Sequence, residues 1–364
     1  MTSVGATESG NERSAKARAV DAAGKLTLHA LPGIPDRVKR LMLGGRSLTV
    51  DGNTLDTTLQ LMLAIGHLSG HKGLILSEDV RVARTELDAV ARQYPRVKVD
   101  VTATEMSLPG PAGDIPAVLY RCKADNAPLL VFYHGGGFVV GGLDTHGNLA
   151  EVITHDAGVH TLFVDYRLAP EHKAPAAVDD AYAAYLWARE HAAELGADPS
   201  RVAVGGDSAG GNLAAVVSQR ARNEGAPPPV LQLLIYPITN YEGQTRSKAL
   251  FADGLFLRRW DMEFSHDKYV GGSGIDPTDP RVSPLLADDL SGLPPAILVT
   301  AGFDPLRDEG RQYAEALRAA GNVVDEREYG SMIHAFTNFF GLGGGAATAT
   351  ADVISALRAH LSRS

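Results

Sequence analysis

Residues 206–210, GDSAG, place Ser208 between two glycines with the spacing G-x-S-x-G. The apolar run VAV at 202–204 precedes this motif, and an alanine-rich segment with helical spacing follows it. A sharp strand-to-helix turn would expose the serine hydroxyl, and Gly206 and Gly210 would avoid collisions with the neighbouring strand and helix. Ser208 is therefore a candidate nucleophile, and a glycine-rich turn with a capping serine is the alternative.

A serine hydroxyl becomes an effective nucleophile when a base takes its proton and an acidic group orients that base. Asp304 directly follows an apolar run, and His334 follows a further predicted strand. The chain order Ser208, Asp304, His334 is the order nucleophile, acid, base that accompanies such a turn. In the alternative interpretation, Asp304 caps the next helix and His334 is a structural imidazole. We expect Asp308 and Glu309, inside that helix, to orient the loop or face solvent.

Three consecutive glycines lie in the segment LLVFYHGGGFVVGG at 129–142. Backbone N–H groups without side chains can approach a developing oxyanion closely, so we expect Gly135 and Gly136 to donate to it. The third donor is expected to be the N–H of Ala209, directly after the candidate nucleophile. Phosphate binding by this glycine run is disfavoured, because a dinucleotide fingerprint requires glycine where Val140 stands.

Short apolar runs alternate with helical stretches from about residue 100 onward. The runs are AVLYRC (117–122), LLVFYH (129–134), TLFVDY (161–166), RVAVGG (201–206), LQLLIYP (231–237) and AILVTAG (296–302). This alternation predicts an α/β domain whose mostly parallel sheet is covered by helices on both faces. In such sheets, functional loops follow the carboxyl ends of strands, which is where the three candidate residues lie.

Changes in composition and in apolar periodicity along the chain predict four segments. Residues 1–30 are small, polar and mixed in charge, as in a flexible arm. Apolar residues at helical spacing predict a helical cap over 31–95, followed by a catalytic domain over 96–364. Within that domain, residues 240–272 form a helical insertion that is too long for an ordinary loop, and we expect it to contribute to the cap.

The composition excludes several kinds of partner. A formal net charge of -9 argues against binding to nucleic acid, which requires a basic field. The lone Cys122 can form neither an internal disulfide nor a metal site by itself. The N-terminus has no apolar signal region, and the chain has no long uncharged apolar stretch. We therefore expect a soluble, cytoplasmic protein without stable membrane association.

Five motifs occur in the order of a known family. They are HGGGF (134–138), DYRLAPEHKAPAAVDDA (165–181), GDSAGG (206–211), FDPLRDEG (303–310) and the loop of His334. On these motifs the chain resembles bacterial hormone-sensitive-lipase-like carboxylesterases, esterase family IV of the GDSAG type, over about residues 75–364. The resemblance implies an α/β-hydrolase fold with a helical cap, and neither a metal nor an organic cofactor.

The resemblance also implies an activity. It predicts a serine carboxylesterase that hydrolyses short- to medium-chain esters, small-molecule substrates, through an acyl-enzyme intermediate. It assigns the same nucleophile, acid, base and oxyanion donors as above, and it adds supporting roles for His134, Arg167 and Glu171. Members of the family commonly form homodimers through the edge of the sheet, which makes a homodimer an expectation here.

Other functions remain open at the level of sequence. The same triad serves amidases, lactonases and acyltransferases, so these alternatives stay beside the esterase. A non-catalytic small-molecule receptor is much less favoured, because the plant receptors that resemble this family lack the catalytic histidine, whereas His334 is present.

Overall fold

The computed structural model describes residues 24–253 and 255–362, and its centre is an eight-stranded β-sheet. A separate short ladder pairs β1 (Thr49–Val50) with β2 (Asn53–Thr54). The strands of the large sheet are β3 (Thr102–Gly110), β4 (Gly113–Arg121), β5 (Ala127–Tyr133), β6 (His160–Val164), β7 (Ala197–Asp207), β8 (Gln232–Ile235), β9 (Ala296–Phe303) and β10 (Val324–Ile333). Their spatial order is β10-β9-β8-β7-β5-β6-β4-β3.

Helices precede, separate and follow these strands. The α-helices are α1 (24–30), α2 (Asp36–Met42), α3 (Thr57–Leu68), α4 (Val80–Ala91), α5 (Leu143–Ala157), α6 (Ala176–Glu190), α7 (Ala209–Asn223), α8 (Arg246–Leu250), α9 (Arg259–Tyr269), α10 (Arg307–Ala319) and α11 (Gly344–Leu361). Short 3₁₀ turns occur at Leu31–Gly33, Pro284–Leu286, Phe336–Asn338 and Phe340–Leu342.

The sheet is mostly parallel, which confirms the predicted α/β architecture. Strands β5 to β10 pair in parallel, whereas β4 is antiparallel to both β6 and β3. Each of the six predicted apolar runs overlaps one strand, but β3 was not predicted, because this edge strand is mostly exposed and has no apolar run. The carboxyl ends of β5, β7, β9 and β10 meet at one edge, where the candidate site begins.

Two apolar layers lie on opposite faces of the sheet. Along β5, Leu129, Val131 and Tyr133 join the layer that includes α6, α7 and α10. The intervening Leu130 and Phe132 join the other layer, which includes α5 and α11. This alternation follows the period of two of a β-strand. Burial on both faces explains why the segment reads as one continuous apolar run.

The N-terminal segment contacts the insertion between β8 and β9, which contains α8 and α9. The Leu74 N–H donates to the Phe256 carbonyl at 2.9 Å, and the Ile75 N–H donates to the Asp261 carboxylate at 2.9 Å. Both bonds join the segment between α3 and α4 to the insertion. The N-terminal segment and the insertion therefore contact each other, and their role as a shared cap stays a prediction.

The predicted flexible arm at 1–30 differs in part from the structure. Residues 1–23 lie outside the described residues, whereas 24–30 form α1, with Leu28 buried in the core. Leu28 anchors this helix, although the neighbouring Lys25 and His29 are polar. None of the described helices combines the length and the apolar character needed to cross a bilayer.

Candidate active site

Ser208 occupies the turn between β7 and α7, in a backbone conformation that side chains rarely adopt. Its φ is 56° and its ψ is −115°. A Cβ atom at Gly210 would collide with the Tyr133 carbonyl, and one at Gly206 would lie 2.5 Å from the backbone of Gly210. Glycine is therefore required on both sides of the serine. The turn holds the Ser208 hydroxyl at the N-terminus of α7, whose free N–H groups favour negative charge.

Ser208, His334 and Asp304 form a chain of hydrogen bonds. His334 Nε2 lies 3.0 Å from Ser208 Oγ, and His334 Nδ1 lies 2.7 Å from Asp304 Oδ2. Because a carboxylate only accepts, Nδ1 carries the proton and Nε2 is free to accept from the serine hydroxyl. All three residues are at least 95% buried. The three residues follow β7, β10 and β9, so the parallel sheet brings them together.

The second oxygen of Asp304 has a separate partner. Asp304 Oδ1 accepts a hydrogen bond from the Leu306 N–H at 2.8 Å, just before α10. The alternative interpretation, in which Asp304 stabilises the turn into the next helix, therefore holds for Oδ1. Oδ2 instead contacts His334. The two contacts together fix the rotation of the carboxylate, which in turn orients the imidazole.

The glycine loop after β5 differs from the sequence-based expectation at one residue. The Gly135 N–H donates to Asp207 Oδ1 at 2.9 Å. The prediction of Gly135 as an oxyanion donor is therefore wrong, because its only N–H group is already engaged. By contrast, the N–H groups of Gly136 and Gly137 have no hydrogen-bond acceptor within the described residues. Ala209 is the first residue of α7, so its N–H also lacks an intrahelical acceptor.

His134 is a structural member of the same loop. Its ring is fully buried and stacks on Tyr166, with the ring centroids 4.4 Å apart. Burial, reinforced by the neighbouring His146, lowers the pKa of His134 to about 3. The neutral ring donates from Nδ1 to the Gly135 carbonyl at 2.7 Å. His134 thus holds Gly135 from the carbonyl side, while Asp207 holds it from the N–H side.

Asp207 is a buried carboxylate directly before the candidate nucleophile. Burial by itself raises the pKa of Asp207, but His146 and the Gly135 N–H more than offset this effect, so the pKa lies below its ordinary value. His146 Nε2 lies 3.3 Å from Asp207 Oδ2 and 3.2 Å from the Asn338 amide nitrogen. The carboxylate therefore connects the glycine loop to α5 and to the 3₁₀ turn after His334.

Two cavities meet at Ser208. The small chamber has a volume of about 70 Å³, and both His334 and Gly136 line it. The large chamber has a volume of about 300 Å³, and its lining includes Gly137 and Met262 of the insertion. Across the described part of the chain, no cluster of three or more His, Cys, Asp or Glu side chains is arranged to hold a metal ion.

Comparisons with known proteins agree with this geometry. A protein-family model for the α/β hydrolase fold matches residues 130–338. The chain is 56% identical over 339 residues to the carboxylic ester hydrolase LipN of Mycobacterium tuberculosis (strain ATCC 25618 / H37Rv), which covers 92% of the chain and 90% of the relative. The chain belongs to the α/β hydrolase family.

Solved structures share the fold of this α/β hydrolase. An α/β hydrolase enzyme from the metagenome of Lake Arreo, Spain, superposes with a TM-score of 0.78 at 38% identity, covering 84% of this chain and 96% of that one. The esterase of Pyrobaculum calidifontis superposes with a TM-score of 0.72 at 36% identity, covering 77% and 93%. These relatives confirm the resemblance that the five motifs indicated.

An arginine of α4 ties two loops of this α/β hydrolase together. Arg84 Nε donates to the Val139 carbonyl in the glycine loop at 2.8 Å. Arg84 Nη2 donates to the Ala169 carbonyl, also at 2.8 Å. Glu171 accepts from the two terminal guanidinium nitrogens at 3.0 and 2.7 Å, and these bonds lower the pKa of Glu171. A helix of the N-terminal segment thus braces the loop that carries Gly136 and Gly137.

Arg167, the other expected support, braces a different pair of elements. Its Nε and Nη2 donate to the two oxygens of Asp180 at 2.8 and 2.7 Å. Asp180 lies on α6 and is 1% exposed. The bidentate contact therefore fixes the loop after β6 to α6, and so to the body of the sheet.

Sequence reasoning missed three residues of the site. Gly137 was visible as the third glycine of the run, but the choice among three glycines depends on where each N–H points. Asp207 carried a usable signal, because a carboxylate at the end of a buried strand needs a partner. Arg84 carried no such signal, because it is one of two arginines on an amphipathic helix and nothing in the sequence distinguishes it from Arg81.

Proposed function

We propose that this α/β hydrolase is a serine carboxylesterase for short- to medium-chain esters, with Ser208, His334 and Asp304 as its triad. The observation that carries the proposal is the 3.0 Å separation of His334 Nε2 from Ser208 Oγ, with Asp304 on the other ring nitrogen. The relatives support the choice of substrate, since LipN is named a carboxylic ester hydrolase and NlhH, which is 47% identical over 254 residues, a carboxylesterase.

The reaction proceeds in two halves. In the first, Ser208 Oγ attacks the ester carbonyl while His334 Nε2 takes the hydroxyl proton. His334 then gives this proton to the leaving alcohol, and the acyl group remains on Ser208. In the second half, His334 takes a proton from water, whose oxygen attacks the acyl carbonyl. The bond between Ser208 Oγ and the acyl group then breaks, the acid is released, and His334 returns the proton to Ser208 Oγ. Asp304 holds the imidazole in the required tautomer and stabilises its positive charge.

The oxyanion formed in each half requires preorganised donors. We propose that the N–H groups of Gly136, Gly137 and Ala209 are these donors, with Gly137 replacing the Gly135 that the sequence predicts. Support comes from the free N–H groups in the glycine loop and from the position of both glycines in the cavities at Ser208. Such donors act on charge that is present only in the transition state, so they raise kcat.

An acyl-chain series tests the proposed function. Ethyl esters from acetate to dodecanoate are assayed on the purified protein, and kcat/KM is expected to be maximal at about four to six acyl carbons, the range that the family resemblance implies. Ser208→Ala is the control and should abolish turnover while the far-ultraviolet circular dichroism is unchanged. A long-chain triglyceride is assayed beside the series. A maximum on this triglyceride, or ester turnover that survives in Ser208→Ala, would contradict the proposal.

We further propose that the enzyme acts in the cytoplasm as a homodimer. The single Cys122 supports a compartment that does not require disulfides. Strand β10 lies at one edge of the sheet, which is the kind of edge that a second copy can extend. The N-terminal segment covers the C-terminal part of this strand, where the Asp56 N–H donates to the Ser331 carbonyl. Analytical ultracentrifugation at micromolar concentration tests the assembly, and a purely monomeric species would contradict it.

A further inference from the structure

The two chambers at Ser208 differ in size and in chemistry. The large chamber has about four times the volume of the small one. Polar side chains such as Asn240 and Gln244 contribute to the large chamber, together with apolar ones such as Met262. The small chamber is instead bounded mainly by apolar and aromatic side chains. The two halves of an ester that reacts at Ser208 therefore enter unlike surroundings.

Aromatic packing limits the small chamber. Tyr94 and Phe256 each contact Phe339 edge to face, with ring centroids 5.3 and 5.0 Å apart. Leu87 and Val90 of α4 complete this wall. Each of these rings is packed against its neighbours on several sides. The rings therefore move little when a longer substrate chain enters the small chamber.

The position of His334 decides which half of the ester each chamber receives. After the attack, His334 Nε2 must reach the leaving oxygen to protonate it, so the alcohol lies on the histidine side of Ser208. His334 lines the small chamber, together with Gly136. The large chamber starts at Ser208 and Gly137, and its lining does not include His334 among the described residues. The glycine loop, with its free N–H groups, lies between the two.

We propose that the small chamber takes the alcohol half of the ester and the large chamber takes the acyl half. The preferred substrates are then esters of short, unbranched alcohols with longer acyl groups, rather than short-chain esters of longer alcohols. This inference rests on the proposed esterase function, and it adds which half of the ester each chamber binds. The selectivity arises from exclusion of a long alkoxy chain by the aromatic wall, rather than from attraction of the acyl chain.

A pair of isomeric esters tests the assignment on the unaltered protein. Ethyl hexanoate and hexyl acetate have the same atoms, but the long chain lies on opposite sides of the ester oxygen. We expect kcat/KM for ethyl hexanoate to exceed that for hexyl acetate by about tenfold or more, since each misplaced methylene carries a substantial penalty. Equal or reversed values would overturn the chamber assignment. If the folded protein hydrolysed neither ester, the proposed function itself would fail.

Variants of the aromatic wall give a second, independent test. Tyr94→Ala opens the small chamber, and we expect it to reduce the preference for ethyl hexanoate at least threefold by raising kcat/KM for hexyl acetate. Tyr94→Phe is the matched control, because it keeps the ring and should keep the selectivity ratio of the unaltered enzyme. A Tyr94→Ala protein with an unchanged unfolding midpoint and an unchanged ratio would contradict the assignment. Val90→Ala replaces it if the larger substitution impairs folding.

Discussion

At the scale of residues, the Asp207 carboxylate connects the glycine loop to its surroundings. Asp207 is 1% exposed and accepts from the Gly135 N–H, while its other oxygen faces His146. Together with His134 on the carbonyl side, it clamps the peptide groups that precede Gly136. A loop of three glycines has little intrinsic preference for one conformation. The clamp therefore explains how such a loop can hold donors in fixed positions.

Removal of this clamp should reduce turnover more than substrate binding. We expect Asp207→Ala to lower kcat by about tenfold or more with a smaller change in KM, because it leaves the Gly135 N–H unpaired and loosens donors that act in the transition state. Asp207→Asn is the matched control, since its amide oxygen can still accept from Gly135, and its loss should be smaller. Steady-state kinetics on ethyl butanoate checks this order, and equal kcat values for both variants would contradict the clamp.

At the scale of secondary-structure elements, helix α4 holds the glycine loop in place. Arg84 projects from α4 and donates to carbonyls of two loops that follow β5 and β6. Glu171 holds the far side of the guanidinium group. An arginine is suited to this position because its planar fork of donors can satisfy a carboxylate and two carbonyls at once. The N-terminal segment is thereby coupled to the glycine loop that carries the proposed oxyanion donors.

Substitution of this arginine should lower activity without unfolding the protein. We expect Arg84→Met to reduce kcat/KM by about tenfold, because the Val139 and Ala169 carbonyls lose their donors and the loop shifts. Arg81→Met on the same helix is the matched control, since the Arg81 side chain is 86% exposed, and its kcat/KM should stay within about twofold. Arg84→Lys should recover activity in part. A loss of equal size in the two methionine variants would point to a general effect of α4.

Stability against pH is a property of the whole molecule, since protons bind differently to the folded and unfolded chains. His134 has a folded pKa of about 3 against an ordinary value of 6.5. Between these values the unfolded chain binds more protons, so the stability that neutral His134 contributes is present above about pH 6.5 and is lost as the pH falls.

Urea unfolding at two pH values measures this contribution. Between pH 7 and pH 5 we expect the free energy of unfolding to fall by about 2 kcal/mol on account of His134 alone. His134→Phe places a similar flat ring beside Tyr166 but does not titrate, so its decrease over the same interval should be smaller by that amount. The same pH dependence in both proteins would show that another group is responsible.

The sequence by itself determined the family and most strands of the sheet, and it supplied the order and identity of the proposed triad. These features are local, because a strand-turn-helix with glycine on both sides of a serine depends on residues within about ten positions of each other. The runs at β5, β7 and β9 were readable because burial on both faces makes each run apolar throughout. The exposed edge strand β3 gave no such signal.

Only the tertiary structure decided which glycine N–H groups are free and how the cavities divide at Ser208. The engagement of Gly135 depends on Asp207, 72 positions later in the chain. The bracing of the loop by Arg84 and the aromatic wall around Phe339 likewise join residues from separate elements. Such contacts follow from how strands and helices pack, and no short pattern encodes the direction of a backbone N–H in a glycine run, because glycine permits many backbone conformations.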